Sequence, residues 1–457
     1  MTSLPLSMKN RFHPSLVRTL VAGAALASVA GCAVRPAYGR PETRAPAAWK
    51  ETPVATGWAP AVPADALERG EWWKLFDDAG LNELAEKVQL SNQNIAAAVA
   101  NYSQAQAAVR EQRAALFPTV SLSGSARRSG ERTAGSTSGS ANVALGASWE
   151  PDLWGRLRES VSSAQASAQA SEADLASARL SMLSELAINY FSLRESDAEL
   201  GVLSSTIEGY ERSLTITRNR YEAGIAAQSD VLQAETLLAN TRAQYSATVR
   251  TRAALEHAIA VLTGVPPSGF SVSSMTWTPV VPRIPSGVPS ELLQRRPDIA
   301  AAERDVAVAN SQIGIQRSAY YPSFSIDASL GRTSSRVSDL FNASNTLWSL
   351  GISVAQVVFD AGAISARVDQ ATASRDAAIA RYRQTVLAAF QAVEDQLSGA
   401  ASLEQQLQQY IVASQAADKT EQQIINRYRA GQVGYTEVVV AQASALNARR
   451  NVLQLQV

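Results

Sequence analysis

The chain has 457 residues, 46% of them hydrophobic but only 6% aromatic, and 41 basic side chains balance 41 acidic ones. Zero net charge removes the electrostatic case for nucleic acid. One cysteine and two histidines exclude an internal disulfide and a thiolate or imidazole metal set, and no phosphate loop, nucleophile elbow or H-E-x-x-H run is present. An enzyme built this way would have carboxylates alone, and no isolated carboxylate pair stands out. We therefore expect no catalytic residue, no cofactor and no metal site.

Residues 1–31 read as a signal peptide. Lys9, Arg11 and Arg18 precede a short apolar core from Leu20 to Ala30. The core ends Val29-Ala30-Gly31-Cys32, which resembles a bacterial lipobox, so Cys32 is the expected lipidation site. Cleavage beside an incidental cysteine is the plainer alternative. Residues 32–80 form an N-terminal strap in which six prolines, from Pro36 to Pro63, forbid a helix. Trp49, Trp58, Trp72 and Trp73 are expected to pin it to the body.

The rest is one unit written twice. Asn219-Arg220-Tyr221-Glu222-Ala223-Gly224 returns as Asn426-Arg427-Tyr428-Arg429-Ala430-Gly431, an offset of 431 − 224 = 207. Gly155 and Gly362 share that offset, whereas Pro118 and Pro322 are separated by 322 − 118 = 204. Repeats outrank other signals in a sequence of this kind. The first repeat spans 81–263. It predicts a helix from Leu81 to Leu116, a β-hairpin over 118–150 with its loop at 129–140, and a helical hairpin over 156–262. A proline-rich linker follows at 264–289. The second repeat spans 290–457, with a helix over 290–319, a β-hairpin over 322–359 with its loop near 333–346, and a helical hairpin over 363–457 whose last helix starts about Glu437. That helix stops at Val457, short against its counterpart.

Both β-hairpins alternate apolar and small polar residues, as Phe324, Ile326, Ala328 and Leu330 do with Ser325, Asp327 and Ser329. The predicted long helices, about 156–222 and 363–429, would each reach ~100 Å at ~1.5 Å per residue. A heptad seam precedes each glycine turn. The first runs through Leu200, Leu203, Ile207, Tyr210, Leu214, Thr217 and Tyr221. The second, through Leu407, Tyr410, Ser414, Ala417, Glu421, Ile424 and Tyr428, is more polar and is expected to be the looser. No apolar run after Cys32 approaches the ~18 residues of a transmembrane helix. Only a closed barrel puts strands in lipid, and four strands cannot close. Two copies would give eight strands, with a filled interior. Three would give twelve, with an open lumen that the small inward residues favour. The alternative is a water-soluble sheet capping a coiled coil, which shows the same one-sided alternation.

Several runs together resemble the TolC-like outer-membrane efflux lipoproteins, the exit ducts of tripartite drug pumps. They are Glu71-Trp72-Trp73-Lys74-Leu75-Phe76, Trp149-Glu150-Pro151-Asp152-Leu153-Trp154-Gly155-Arg156, Leu292-Leu293-Gln294-Arg295-Arg296-Pro297-Asp298-Ile299, Phe359-Asp360-Ala361-Gly362, and the two Arg-Tyr-x-Ala-Gly turns. The resemblance implies a mainly α fold with a β-barrel: a homotrimer with a 12-stranded outer-membrane barrel continuous with a 12-helix periplasmic α-barrel. It implies a lipid-anchored protein of the Gram-negative outer membrane that works without nucleotide. The partners it implies are a periplasmic adapter protein, an inner-membrane RND-type transporter and outer-membrane lipid. The adapter would meet the hairpin tips at Arg220, Gly224, Arg427 and Gly431. The periplasmic gate of such ducts lies just past the turn glycines, where this chain has Asp230 and Glu437, with Tyr221 and Tyr428 closing the seams beside them. Some relatives carry a basic residue just after the second glycine. Here Gln432-Val433-Gly434-Tyr435 stands instead, so hydrogen bonding and packing are expected in place of a salt-bridge latch. Asp230 and Glu437 also suit the first turn of a helix. Rival readings are the exit duct of a protein secretion system and a lipid-anchored coiled-coil spacer without a pore.

Overall fold

The computed structural model describes residues 36–43, 45–46, 48–50, 71–130, 137–275, 281–282, 295–342 and 345–457. The signal peptide, Cys32, Trp58, linker residues 276–280 and 283–289, and Leu292 to Gln294 lie outside the described residues. A 3-10 turn at Trp72–Phe76 leads into α1 (Ala79–Ser91) and α2 (Gln93–Ala114). Then come β1 (Thr119–Gly130), β2 (Thr137–Trp149), α3 (Arg156–Glu222) and α4 (Gln228–Leu262). The second repeat gives α5 (Pro297–Ser318), β3 (Ser323–Ser334), β4 (Thr346–Ala355), α6 (Ala363–Arg429) and α7 (Tyr435–Gln456).

Both long helices start alike. Asp152 accepts from the backbone N–H of Leu157 (3.0 Å) and Arg158 (2.9 Å). Asp360 accepts from those of Gly362 (2.9 Å) and Ile364 (2.8 Å). An acid at this place satisfies orphan N–H groups and meets the positive end of the helix dipole. Between cap and helix, Gly155 and Gly362 hold φ of +85° and +90°, a region that costs other residues ~1–2 kcal/mol.

Four boundaries differ from the sequence expectation. The single helix expected over Leu81 to Leu116 is two, broken at Asn92. That buried side chain accepts from the N–H groups of Asn94 and Ile95 and donates to the Leu262 carbonyl (2.8 Å), so it caps one helix and ties it to another. In the second repeat Pro297 starts α5, the position where its missing N–H is harmless; residues 290–294 of the expected helix lie outside the described residues. Helix α7 starts two residues before Glu437. The strands run further into the hairpin loops than expected, to Gly130 and Ser334, and β4 opens at Thr346. The β3–β4 connection contains a 3-10 turn at Val337–Asp339.

The chain divides into two compact units, each drawing on both repeats. The first comprises Met1–Glu42, Asn101–Glu172 and Ala301–Arg383, and the second Thr43–Ala100, Ala173–Ala300 and Gln384–Val457. The first holds an antiparallel sheet of order β1-β2-β3-β4. Its strap segment is fastened by Tyr38, which donates to Glu303, and by Asn310, which donates to the Pro36 carbonyl (3.2 Å). In the second unit Trp49 packs edge-on to Phe390 with centroids 6.0 Å apart. There Asp197 accepts from Arg194 (3.1 Å) and Arg252 (2.6 Å). The same two arginines donate to the carbonyls of Ser273 and Val272, fixing the start of the linker.

Candidate functional site

Two places are candidate functional sites, the sheet in the first unit and the helical-hairpin tips in the second.

In the sheet, register puts every large apolar side chain but Leu347 on one face. Leu122 lies opposite Leu145, Leu145 opposite Leu330, and Leu330 opposite Trp348. Four residues along, past Ala147 opposite Ala328, Trp149 faces Ile326, and Ile326 faces Ile352. A one-residue slip in any pair would scatter this face. Among the described residues nothing covers it: Leu350, Ile352 and Trp348 are 68%, 71% and 76% exposed. The band from Phe324 to Leu330 is ~20 Å along the strand at ~3.3 Å per residue. Aromatic residues lie at both its ends. Trp149 donates to the Leu116 carbonyl at the helix end, where Trp154 stacks on Tyr321 at 4.8 Å. Trp348 stands at the loop end, near Arg332, whose guanidinium donates to the Phe341 carbonyl. The opposite face is mostly Ser, Thr, Gly, Ala and Asn, with Leu347, Asp327 and Arg127 among them, and hydroxyls bond across strands as between Ser329 and Ser349 (2.8 Å).

At the tips, Gly224 and Gly431 hold φ of +73° and +74°. The N–H of Ile225 bonds the Arg220 carbonyl (2.8 Å) and that of Gln432 the Arg427 carbonyl (2.9 Å), so both turns close the same way. Around them Tyr210, Leu214, Leu238, Tyr428, Tyr435 and Val438 form one buried cluster. Tyr428 packs edge-on to Tyr435 at 5.3 Å, and its hydroxyl donates to Thr217 (3.3 Å). Tyr435 reaches Ser213 at 3.5 Å. Burial pushes the Tyr435 hydroxyl up, and its contact with Ser213 opposes the shift.

The residues named from the sequence fall into three groups. Tyr428 is buried at the centre of the cluster. Tyr221 is not: it is 44% exposed, and Thr217, fully buried, ends the first seam instead. The Gly224 turn begins at that point, so the last heptad position has no helix opposite it. Arg220 and Arg427 are equivalent in the repeat but not in space. Arg220 donates to the Tyr428 carbonyl (2.5 Å) with its guanidinium 4.6 Å from the Tyr428 ring. It thereby caps the C-terminus of α6, while Arg427 is exposed. Asp230 is half-buried in the first turn of α4, and Glu437 is exposed in that of α7. Neither carboxylate has a hydrogen bond or ion pair among the described residues.

The second seam is the looser, as its composition suggested: of its seven positions only Tyr428 is buried. Glu421 instead accepts from Arg449 (2.8 Å), which also holds Asp418 (2.8 Å). Burial raises the Glu421 pKa, and Arg449 opposes the shift. Tyr435 and Arg449 were not singled out from sequence. Tyr435 had a signal, an aromatic residue four places past a turn glycine. Arg449 is one of several helical arginines and had none. His257 is exposed on α4.

Comparison with known proteins decides what such a sheet and such tips belong to. The family model described as "Outer membrane efflux protein" matches residues 84–265 and 288–457, one stretch in each repeat. The chain belongs to the outer membrane efflux protein family. It is 31% identical over 436 residues to a probable efflux pump outer membrane protein, TtgC, of Pseudomonas putida, covering 93% of this chain and 88% of the relative. It is 30% identical over 413 residues to the pyoverdine export outer membrane protein OpmQ of Pseudomonas aeruginosa, covering 86% and 85%. Among solved structures, the outer-membrane channel OprN superposes with a TM-score of 0.84 at 31% identity, covering 93% of this chain and 95% of that one. The open state of the Neisseria gonorrhoeae MtrE channel gives 0.82 at 26% identity, covering 93% and 95%. This efflux protein therefore has the TolC-like channel fold, resides in the outer membrane with a periplasmic tunnel, and is a transport conduit rather than an enzyme.

Proposed function

We propose that three copies of this chain close one twelve-stranded barrel in lipid, continuous with twelve periplasmic helices, as the passive exit duct of a tripartite efflux pump. The carrying observation is the sheet. Among the described residues its apolar face and its small polar face are both uncovered, and β1 and β4 end it as unpaired edges. A sheet capping a soluble coiled coil would bury one face. Open edges in lipid leave several kcal/mol per unpaired backbone group, so the edges must pair between copies. The two repeats, 81–263 and 290–457, are the building units, and an acyl chain on Cys32 adds an anchor at the same membrane. The hairpin tips, with Arg220, Gly224, Arg427 and Gly431, meet a periplasmic adapter protein, behind which an inner-membrane transporter supplies the energy.

The gate is the tip cluster. Tyr428, Tyr435 and Thr217 hold the second hairpin against the first, and threefold repetition makes rings of Asp230 and Glu437, which favour cations at the constriction. Opening swings the second hairpin outward, because its seam is the polar one. The relatives are named for antibiotics, toluene and pyoverdine, which supports small toxic or exported compounds as cargo, chosen upstream of the duct. Detergent-extracted protein should be a trimer that conducts in planar bilayers, and Tyr428→Ala with Glu437→Ala should raise single-channel conductance. A monomer soluble without detergent would end this reading.

A further inference from the structure

The polar face of the sheet is not electrically blank. Its described residues are Ser, Thr, Gly, Ala and Asn, plus Leu347, with two exceptions: Asp327 on β3 and Arg127 on β1. Asp327 lies opposite Ser148 and Gly351, and Ser148 lies opposite Thr119. Arg127 lies eight residues further along β1, opposite Ser140. At ~3.3 Å per residue the two levels are ~26 Å apart along the strand, the acid at the helix end and the base at the loop end. Both side chains are exposed. Asp327 accepts only from Ser325 (3.1 Å), and neither charge has an ion pair among the described residues. Cross-strand opposite charges are the way sheets use such residues for stability, and these two are too far apart to do so. Folding gives no account of them.

We propose that Asp327 and Arg127 form two tiers of opposite charge inside the barrel, which sort small charged solutes as they leave: the inner tier draws cations and the outer tier draws anions. The proposal rests on the trimeric barrel of the preceding section. Twelve strands ~4.8 Å apart and tilted ~40° make a cylinder of ~12 Å radius. Three charges at that radius, in water, act on an ion at the axis over a range set by salt. The screening length is ~30 Å at 0.01 M, ~8 Å at 0.15 M and ~3 Å at 1 M. Coulomb's law with that screening gives a local enrichment of about threefold at 0.01 M and about 1.5-fold at 0.15 M. The lining of small side chains leaves the field unobstructed.

The test is the potassium-to-chloride permeability ratio of the full-length trimer in planar bilayers under a KCl gradient. Because the tier enriches the cation about threefold and depletes the anion as much, Asp327→Asn is expected to lower the ratio up to about tenfold near 0.01 M salt and to leave it unchanged at 1 M. Arg127→Gln is expected to raise it, and Asp327→Glu to keep the wild-type ratio. If Asp327→Asn does not assemble, Arg127→Gln carries the same test with opposite sign. Variants that conduct with the wild-type ratio at low salt overturn the proposal. Wild-type protein that never conducts overturns the barrel beneath it instead, so the two failures are distinct.

Discussion

Arg220→Ala isolates one of the contacts that join the two repeats at the tip. The lost interactions are a charge-assisted hydrogen bond to the Tyr428 carbonyl at 2.5 Å and a guanidinium 4.6 Å from the Tyr428 ring. Hydrogen bonds to charged groups contribute ~1.5–3 kcal/mol and a partly exposed cation–π contact ~0.5–1 kcal/mol. These share one partly exposed side chain, so we discount their sum to ~2 kcal/mol. At ~1.4 kcal/mol per tenfold, the tip equilibrium shifts about 30-fold toward separation in each chain. Single-channel recording should show this as longer and larger openings. Arg220→Lys should lie between, since lysine keeps the charge but not the planar fork. Arg427→Ala is the internal control: equivalent in sequence, exposed in space, and expected to gate as wild type. Equal open probability for Arg220→Ala and wild type, or equal effects of Arg220→Ala and Arg427→Ala, would refute the reasoning.

Three further outcomes follow from local geometry. Gly264→Ala should lower the melting temperature of the assembled protein far more than Gly224→Ala. Both glycines have positive φ, but a Cβ at Gly264 would sit 2.3 Å from the Ser91 carbonyl oxygen and one at Gly224 would touch nothing within 4 Å. Asn92→Ala should cost ~2 kcal/mol in denaturant unfolding, by removing a helix cap and a buried bond to Leu262; an effect below ~0.5 kcal/mol would show that the helix break is held by something else. Glu421 binds its proton more tightly when folded, so its contribution to stability is greatest in acid and declines as pH rises through the raised value. Glu421→Gln should flatten that part of the pH–stability curve, and an unchanged slope would count against it.

The long helices were legible to the residue because glycines bracket them. Gly155 and Gly224 bound α3, and Gly362 and Gly431 bound α6, with an acid just ahead of each start. The apolar stripe was legible because the strands alternate from Val120 to Leu122 and from Phe324 to Leu330, and the cross-strand register kept these members on one face. The break at Asn92 was not. Gln89-Leu90-Ser91-Asn92-Gln93 contains no proline or glycine, and the carboxamide acts as a cap only because the Leu262 carbonyl, distant in sequence, arrives beside it. The same limit explains Tyr221 and Arg220. A heptad count treats every position as facing a partner and cannot know that the turn has already begun. An exact repeat treats Arg220 and Arg427 as one residue, and only the meeting of the two tips separates them.

The two offsets of the repeat, 204 at the prolines that end the first helices and 207 at the glycines that begin the long ones, differ by three. That surplus falls within the second β-hairpin, whose connection carries the 3-10 turn at Val337–Asp339. A difference in length there leaves every helix and every cross-strand pair in place. An epitope inserted beside Val337 should thus be displayed to antibody on intact cells while export proceeds undisturbed.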